Sequence, residues 1–309
     1  MRVLLVVNAA ASSVTARRQV VIHRLIRADH DVDMVETSRR GHATHLALDA
    51  AGRGVDVVMV LGGDGTLNEV ANGLVGSDCA LAALPGGSTN VFARTLGLSD
   101  EPVEAAIVNL EAMAAGTIRP VGLGSVNGRY FLFHTGVGWD ARLVRQVERH
   151  GELKRYASHP LFIWSGIRTW FRLYDRTRPH FRVRYGEETV ENGYFTVVLN
   201  TNPYTYVGSR PFDLSPHASL DRPFAVVTIT RMDTAPFLRL MFDTLRTSDA
   251  TQRSAIVDYR ADVSSLRIEA FDTVPFQVDG DDLGDGTTFD FQHHPDAIRL
   301  VLPATASFG

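Results

Sequence analysis

Lysine is almost missing from this chain of 309 residues: thirty of its thirty-one basic side chains are arginine, and Lys154 is the exception. That scarcity excludes whole enzyme classes. A Walker phosphate loop needs Lys after its glycines, a protein kinase needs a strand Lys, and a pyridoxal enzyme needs a Schiff-base Lys; Lys154, between Leu153 and Arg155, fits none of these contexts. Genomic base composition is a bland source for the arginine bias, and the exclusion holds either way. Cysteine is equally scarce. A single Cys79 makes no internal disulfide, CxxC redox pair or thiolate metal cage, and reads as a buried side chain. Long apolar runs are absent too: Val3 to Val7 ends at Asn8, far short of a signal-peptide core or the roughly 18 residues of a membrane-spanning helix. A cytoplasmic chain is expected. No HExxH or comparable spacing occurs among the histidines, which read as solvated or core side chains, and no internal repeat or low-complexity tract is present.

What is present is an ordinary globular composition, 45% hydrophobic and 21% charged, long enough for two domains. The net charge of −4 is unevenly spread. Residues 142–184 hold eleven Arg or Lys against three acids, a balance of +8, whereas residues 262–296 hold nine acids against one Arg, a balance of −8. The first segment suits anionic surfaces and the second a divalent cation.

In the first hundred residues short apolar runs alternate with amphipathic stretches. Arg2–Val7, Val32–Glu36, Val55–Leu61 and Leu81–Leu84 read as strands, and Val14–Arg27, His42–Gly52 and Pro102–Ala115 as helices, the last capped by Ser99 or Asp100. This is a βαβαβ pattern, which implies a parallel sheet with ligand loops at the strands' carboxyl ends. From Ile118 the period shifts towards two, and Asn127-Gly128 between apolar runs marks a hairpin. Phe181–Tyr185, Tyr194–Leu199, Phe224–Thr230, Ser265–Ala270, Phe276–Val278 and Ile298–Leu302 read as further strands. The expected architecture is an α/β domain over 1–117 and an antiparallel β-sandwich domain over 118–309, the last strand free to return to the first domain.

Two glycine loops carry the chemistry. Gly62-Gly63-Asp64-Gly65-Thr66 lies where a strand meets a helix, so its backbone N–H groups can hold phosphate; Thr66 can cap the helix, and Asp64 can take a substrate proton or hold Mg²⁺. A glycine turn that merely joins strand to helix is the plain alternative. The dinucleotide fingerprint fails because Asn68 stands where its third Gly belongs. The second loop, Pro85-Gly86-Gly87-Ser88-Thr89-Asn90, also follows a strand and opens a helix; Asn90 breaks the GxSxG elbow of serine hydrolases and can itself serve as a helix cap.

Together the loops resemble the catalytic family of diacylglycerol kinases, which includes bacterial lipid kinases and sphingosine kinases. The likeness also takes in Gly136-Val137-Gly138-Trp139-Asp140-Ala141 and Val278-Asp279-Gly280-Asp281. The resemblance implies an ATP-dependent lipid kinase with an N-terminal domain like those of NAD kinase and phosphofructokinase, a C-terminal lipid domain and an active site between them. By matching positions, Asn8, Thr37, Gly62, Gly63, Gly65, Thr66, Gly87, Ser88 and Asn90 would bind the nucleotide, with Asp64, Asp279 and Asp281 as the acidic centre and ATP and Mg²⁺ as cofactors. The departures are instructive. Asn8-Ala9 replaces the usual Asn-Pro, Asp281 replaces a Glu and is ranked below Asp279 for its shorter reach, and Leu220-Asp221-Arg222 leaves only Asp221 as a matching ligand for a structural Mg²⁺.

The segment 161–174 sets Phe162, Ile163, Ile167, Trp170, Phe171 and Tyr174 at helical spacing beside Arg168, Arg172 and Arg176. Such a stripe suits either a membrane interface or packing on the sandwich. Tyr204 and Tyr206 beside Pro203 suit the acceptor pocket or simple loop packing. The expected partners are a lipid substrate, diacylglycerol first, and an anionic membrane surface reached peripherally at the inner face, with no nucleic acid and a homodimer left open. An NAD kinase-like enzyme and a catalytically weak nucleotide- or lipid-binding regulator are the rival readings.

Overall fold

The computed structural model describes residues 1–148, 174–208 and 210–303, which form two compact units, one of residues 1–123 with 294–303 and one of the described residues between 124 and 293.

The first unit opens with β1 (Arg2–Val7), α1 (Ala16–Asp29), β2 (Asp31–Glu36), α2 (His42–Gly52), β3 (Val57–Gly62), α3 (Asp64–Leu74), β4 (Ala80–Pro85), α4 (Val91–Thr95) and α5 (Pro102–Ala115). The strands pair in parallel in the order β2-β1-β3-β4. Burial explains the continuous apolar runs: every residue of β3 and β4 is buried, as a parallel strand covered on both faces requires. Thr15 caps α1 by accepting from the Arg18 N–H at 3.3 Å, and Ile22 and Ile26 turn its apolar side inward. The expected Ser99 or Asp100 cap of α5 is corrected to Glu101, whose carboxylate accepts from the N–H groups of Val103 and Glu104 while Arg18 binds its other oxygen at 2.9 Å.

The chain leaves this unit along β5 (Ile118–Val126) and turns through Asn127-Gly128 into β6 (Arg129–Phe131). Both turn residues have positive φ, 48° and 83°, the geometry for which Asn-Gly is suited. There follow β7 (His134–Val137), α6 (Trp139–Glu148), β8 (Phe181–Tyr185), β9 (Glu188–Gly193), β10 (Phe195–Leu199), β11 (Thr205–Val207), β12 (Arg210–Phe212), β13 (Phe224–Ile229), α7 (Thr234–Thr244), α8 (Ala250–Arg253), β14 (Val257–Val263), β15 (Ser265–Val278) and β16 (Asp281–Val301). An antiparallel sheet of order β14-β13-β10-β7-β15-β16 results. Alternate residues of β10 feed two cores: Phe195, Val197 and Leu199 pack with Phe237 and Leu240 of α7, and Val198 packs with Phe224 and Phe289. The two strands expected over 265–278 are one strand with shifts of register. At its far end β16 re-enters the first unit and pairs in parallel with β4, Arg299 against Ala80 and Leu300 against Leu81.

Among the described residues, part of each oppositely charged segment pairs with the other. Arg145 bridges Asp282 and Asp285, Arg178 meets Asp272, and Arg182 and Arg184 share Glu269. Among the described residues, no group of three or more His, Cys, Asp or Glu is placed to hold a metal ion. No described helix is long and apolar enough to cross a membrane. Of the basic aromatic stripe over 161–174, residues 161–173 lie outside the described residues; Tyr174 is buried in a core cluster with Phe195 and Phe237, and Arg176 donates to Thr234 Oγ1 at 2.9 Å.

Candidate active site

Parallel pairing sets the carboxyl ends of four strands side by side in the first unit. Val7 is level with Leu61 and Glu36, and Gly62 with Pro85, so Asn8, Thr37, Gly63 and Gly86 leave the sheet at one edge. Backbone bonds stitch that edge together: Asn8 N–H to the Leu61 carbonyl at 2.9 Å, Thr37 N–H to Val7 at 2.8 Å, and Gly86 N–H to Gly62 at 2.8 Å. The two glycine loops then touch backbone to backbone. A Cβ on Gly87 would stand 2.9 Å from the Gly63 Cα, and one on Gly86 would stand 2.8 Å from the Gly62 nitrogen. No side chain fits between them.

Asp64 locks the second loop from the first. Its two carboxylate oxygens accept from the N–H groups of Val91 and Phe92, at 2.9 and 3.1 Å, which is how a cap serves the start of a helix, although here the cap comes from another loop. Asn90 does not cap α4. At φ 46° it turns back, accepting from Gly87 N–H at 2.8 Å and donating to the Gly87 carbonyl at 3.0 Å, so Gly87 to Asn90 forms a closed loop that carries Ser88. Thr66 does not cap α3 either: its Oγ1 accepts from Asn8 Nδ2 at 2.9 Å and ties the loop after β1 to the start of α3. The N–H groups at the start of α3, including that of Gly65, have no partner within the helix and give the edge a positive end. The sequence reading missed Glu69. Its carboxylate accepts from Gly41 N–H at 2.7 Å and Ala43 N–H at 3.2 Å, anchoring the loop that follows Thr37.

In the second unit Asp279 and Gly280 are the two residues of a tight turn between β15 and β16, with φ 48° and 80°. Asp279 is buried, and its carboxylate accepts three backbone N–H groups, from Leu132 at 2.7 Å, Phe133 at 3.0 Å and His134 at 3.1 Å. Asp281, half-buried, opens β16 directly after the turn.

Beneath the turn lies a buried polar group in which Tyr204, read from sequence as acceptor-pocket or loop-packing, meets Asp140, Gln277 and His134, to which the sequence reading gave no roles. Asp140, 2% exposed, accepts from the Tyr204 hydroxyl and from Gln277 Nε2 at 2.8 Å. Burial holds its carboxyl above the usual range, and those two hydrogen bonds offset only part of the rise. His134 packs its ring on Tyr204, 4.3 Å between centroids, and burial lowers its pKa to about 3. A signal for Asp140 was available in the glycine of its own motif: a Cβ on Gly136 would stand 1.6 Å from the Asp140 Oδ2.

Comparison with known proteins shows what the chain is similar to. Residues 2–126 match the family model of the diacylglycerol kinase catalytic domain. Over nearly the whole chain the sequence is similar to a protein of Bacillus subtilis (strain 168) named "Diacylglycerol kinase", 28% identical and covering 92% of this chain and 89% of that one. It is also 28% identical to a "Probable lipid kinase YegS-like" of Pseudomonas aeruginosa PAO1, covering 98% of this chain and 95% of the other. A solved diacylglycerol kinase structure from Bacillus anthracis str. Sterne shares the fold, with a TM-score of 0.73 at 20% identity over 99% of this chain and 98% of that one.

Proposed function

We propose that this chain is a lipid kinase that transfers the γ-phosphoryl group of MgATP to a lipid hydroxyl, with diacylglycerol as its first candidate acceptor. The observation that carries the reading is the meeting of the two glycine loops: Gly62, Gly63 and Gly87 bring backbone close to backbone at the mouth of α3, a surface suited to a polyphosphate, and Asn8, Thr37, Thr66, Ser88 and Asn90 surround it with small polar groups. In this reading Mg²⁺ arrives with the nucleotide as part of the substrate. The carboxylates divide by their partners. Both oxygens of Asp64 and both of Asp279 accept backbone N–H groups, which suits them to hold loops and a fixed negative charge. Asp281 stands just past the turn and is the better candidate to take the hydroxyl proton, reversing the order expected from side-chain length. Positioning and charge stabilisation supply most of the rate in phosphoryl transfer, so held loops are part of the chemistry.

The acceptor resides in a bilayer, and α7 supports a peripheral approach to it. Leu238 and Phe242 are 58% and 57% exposed one turn apart, Leu245 follows them, and the Arg246 guanidinium lies 5.1 Å from the Phe242 ring centre. Apolar side chains flanked by arginine suit an anionic interface.

The test is purified protein with radiolabelled ATP, Mg²⁺ and a panel of diacylglycerol, sphingosine, ceramide and NAD, followed by identification of the labelled product. Label in the lipid extract is the expected result. Label in NAD instead makes the chain a nucleotide kinase, and ATP binding with no transfer to any acceptor makes it a regulator.

A further inference from the structure

The turn that carries Asp281 is held from below by side chains that reach no solvent. Gln277, wholly buried, accepts the Gly280 N–H on its Oε1 at 2.8 Å and donates from Nε2 to Asp140 at 2.8 Å. Asp140 in turn accepts from the Tyr204 hydroxyl. Each member thus uses a different atom for each neighbour, and the amide of Gln277 is oriented by both ends: its oxygen must face Gly280 and its nitrogen Asp140. The glycine at 136 gives up its own side chain to make room for the Asp140 carboxylate. A core that needed only packing would place an apolar residue at 140. Burying a carboxylate and an amide without full pairing is costly, and here the paired groups end on one backbone N–H of the turn.

We infer that Asp140 and Gln277 are positioning residues for phosphoryl transfer, a buried relay from Tyr204 through Asp140 and Gln277 to Gly280 that fixes the Asp279-Gly280 turn and so sets where the Asp281 carboxylate stands. The inference rests on Asp281 as the proton acceptor. It goes further in assigning control of that carboxylate to three buried side chains, Tyr204, Asp140 and Gln277. Small displacements are enough to matter, since about 1 Å of misplacement can lower a rate a hundredfold.

The experiment compares Gln277→Leu, Tyr204→Phe, Asp281→Asn and the Gln277→Leu/Asp281→Asn double variant in the full chain, measuring kcat, the KM for ATP and thermal melting. Gln277→Leu is expected to lower kcat about ten- to a hundredfold with the ATP KM within about twofold of wild type, and Tyr204→Phe to lower it less. The double variant should be no slower than Asp281→Asn alone, because a turn can no longer misplace a carboxylate that is gone. Gln277→Glu supplies a readout that packing would not move. Two buried carboxyl groups then face each other and must share a proton, with Tyr204, His134 and Asp279 on the packed elements and Arg142 and Arg145 on α6 as the other titratable groups. Turnover of Gln277→Glu should recover towards acid pH and fall as pH rises, more steeply than in the wild type. A folded Gln277→Leu with unchanged kcat, or Gln277→Leu and Asp281→Asn losses that multiply in the double variant, overturns the relay. Full turnover in Asp281→Asn overturns its premise instead, and that arm is read separately. Should Gln277→Leu not fold, Tyr204→Phe, which removes one oxygen, and the Gln277→Glu pH profile decide.

Discussion

Gly87 lies against Gly63 so closely that any side chain on it would enter the neighbouring backbone: a Cβ there would be 2.9 Å from the Gly63 Cα and 3.1 Å from Asn90 Oδ1. Neither neighbour can yield cheaply, because one is backbone and the other closes the Gly87–Asn90 loop. Gly87→Ala is therefore expected to part the two loops, raising the KM for ATP about tenfold or more and costing about 1–3 kcal/mol of stability. Gly52→Ala is the contrasting change. That glycine ends α2 with nothing within 4 Å of its would-be Cβ, so alanine should be neutral or stabilise by up to ~1 kcal/mol. Steady-state kinetics and thermal melts of the two variants check both statements.

Asp64→Asn tests the cross-loop cap. An amide offers one oxygen where the carboxylate offers two, so one of the Val91 and Phe92 N–H groups loses its acceptor, and α4 should lose about 1 kcal/mol. The fold survives such a loss. Phosphotransfer to lipid should nevertheless collapse, since the fixed charge at the mouth of α3 is removed together with the grip on the second loop. Unchanged turnover would take Asp64 out of the mechanism.

Asp279 and Asp281 should separate cleanly. Replacing Asp279 by Asn leaves three converging backbone N–H groups with one acceptor oxygen and an amide that faces donors, at a buried site. The expected cost is about 2–4 kcal/mol, seen as a lower melting temperature before any kinetic effect is interpreted. Asp281→Asn, half-buried at the strand start, should melt within about 1 kcal/mol of wild type and yet lose turnover. The reverse pattern, a stable inactive Asp279→Asn and an active Asp281→Asn, would restore Asp279 as the proton acceptor.

Much of this was readable from residues, for identifiable reasons. The first unit is built from local signals: continuous apolar runs such as Val57–Leu61, a Thr15 cap, and glycine turns at strand ends, each of which points to the same βαβ pattern. Asn127-Gly128 marked its hairpin because the dipeptide alone tolerates the required φ values. Long-range partners were not readable. Nothing near Asp64 in sequence says that its carboxylate serves Val91 and Phe92, and nothing near Asp279 says that it gathers the Leu132–His134 backbone. Asp140, Tyr204 and Gln277 come from three distant segments and meet only when β7, β10 and β15 pair. Helix α7 was overlooked for another reason: a single short helix inside a period-two region is signalled only by Phe237, Leu240 and Thr244 at helical spacing, a pattern that neighbouring strands obscure.

The exposed face of α7 yields a test for membrane docking. Leu238→Gln with Phe242→Gln removes two large exposed apolar side chains without touching Phe237 or Leu240, which hold the helix to the core. Binding to vesicles containing phosphatidylglycerol, read by co-sedimentation, should fall about tenfold or more, whereas turnover on detergent-dispersed acceptor should stay near wild type. Binding equal to wild type would free α7 from this role.

His134 gives the molecule an acid limit. Its ring is buried on Tyr204, and burial drives its pKa down from 6.5 to about 3, so the folded protein holds it neutral. Unfolding exposes the ring and lets it bind a proton whenever the pH is below the ordinary histidine value. Between pH 6.5 and 3 the unfolded chain thus binds more protons at this site than the folded one, and stability must rise with pH. The contribution is complete above the unfolded value and is lost progressively on acidification, amounting to a few kcal/mol, at about 1.4 kcal/mol for each pH unit of the window. His134→Phe removes the titration while keeping a ring on Tyr204. Chemical denaturation at pH 7 and pH 4.5 should show wild-type stability falling more steeply than that of the variant, and parallel losses in the two proteins would mean that another group sets the acid limit.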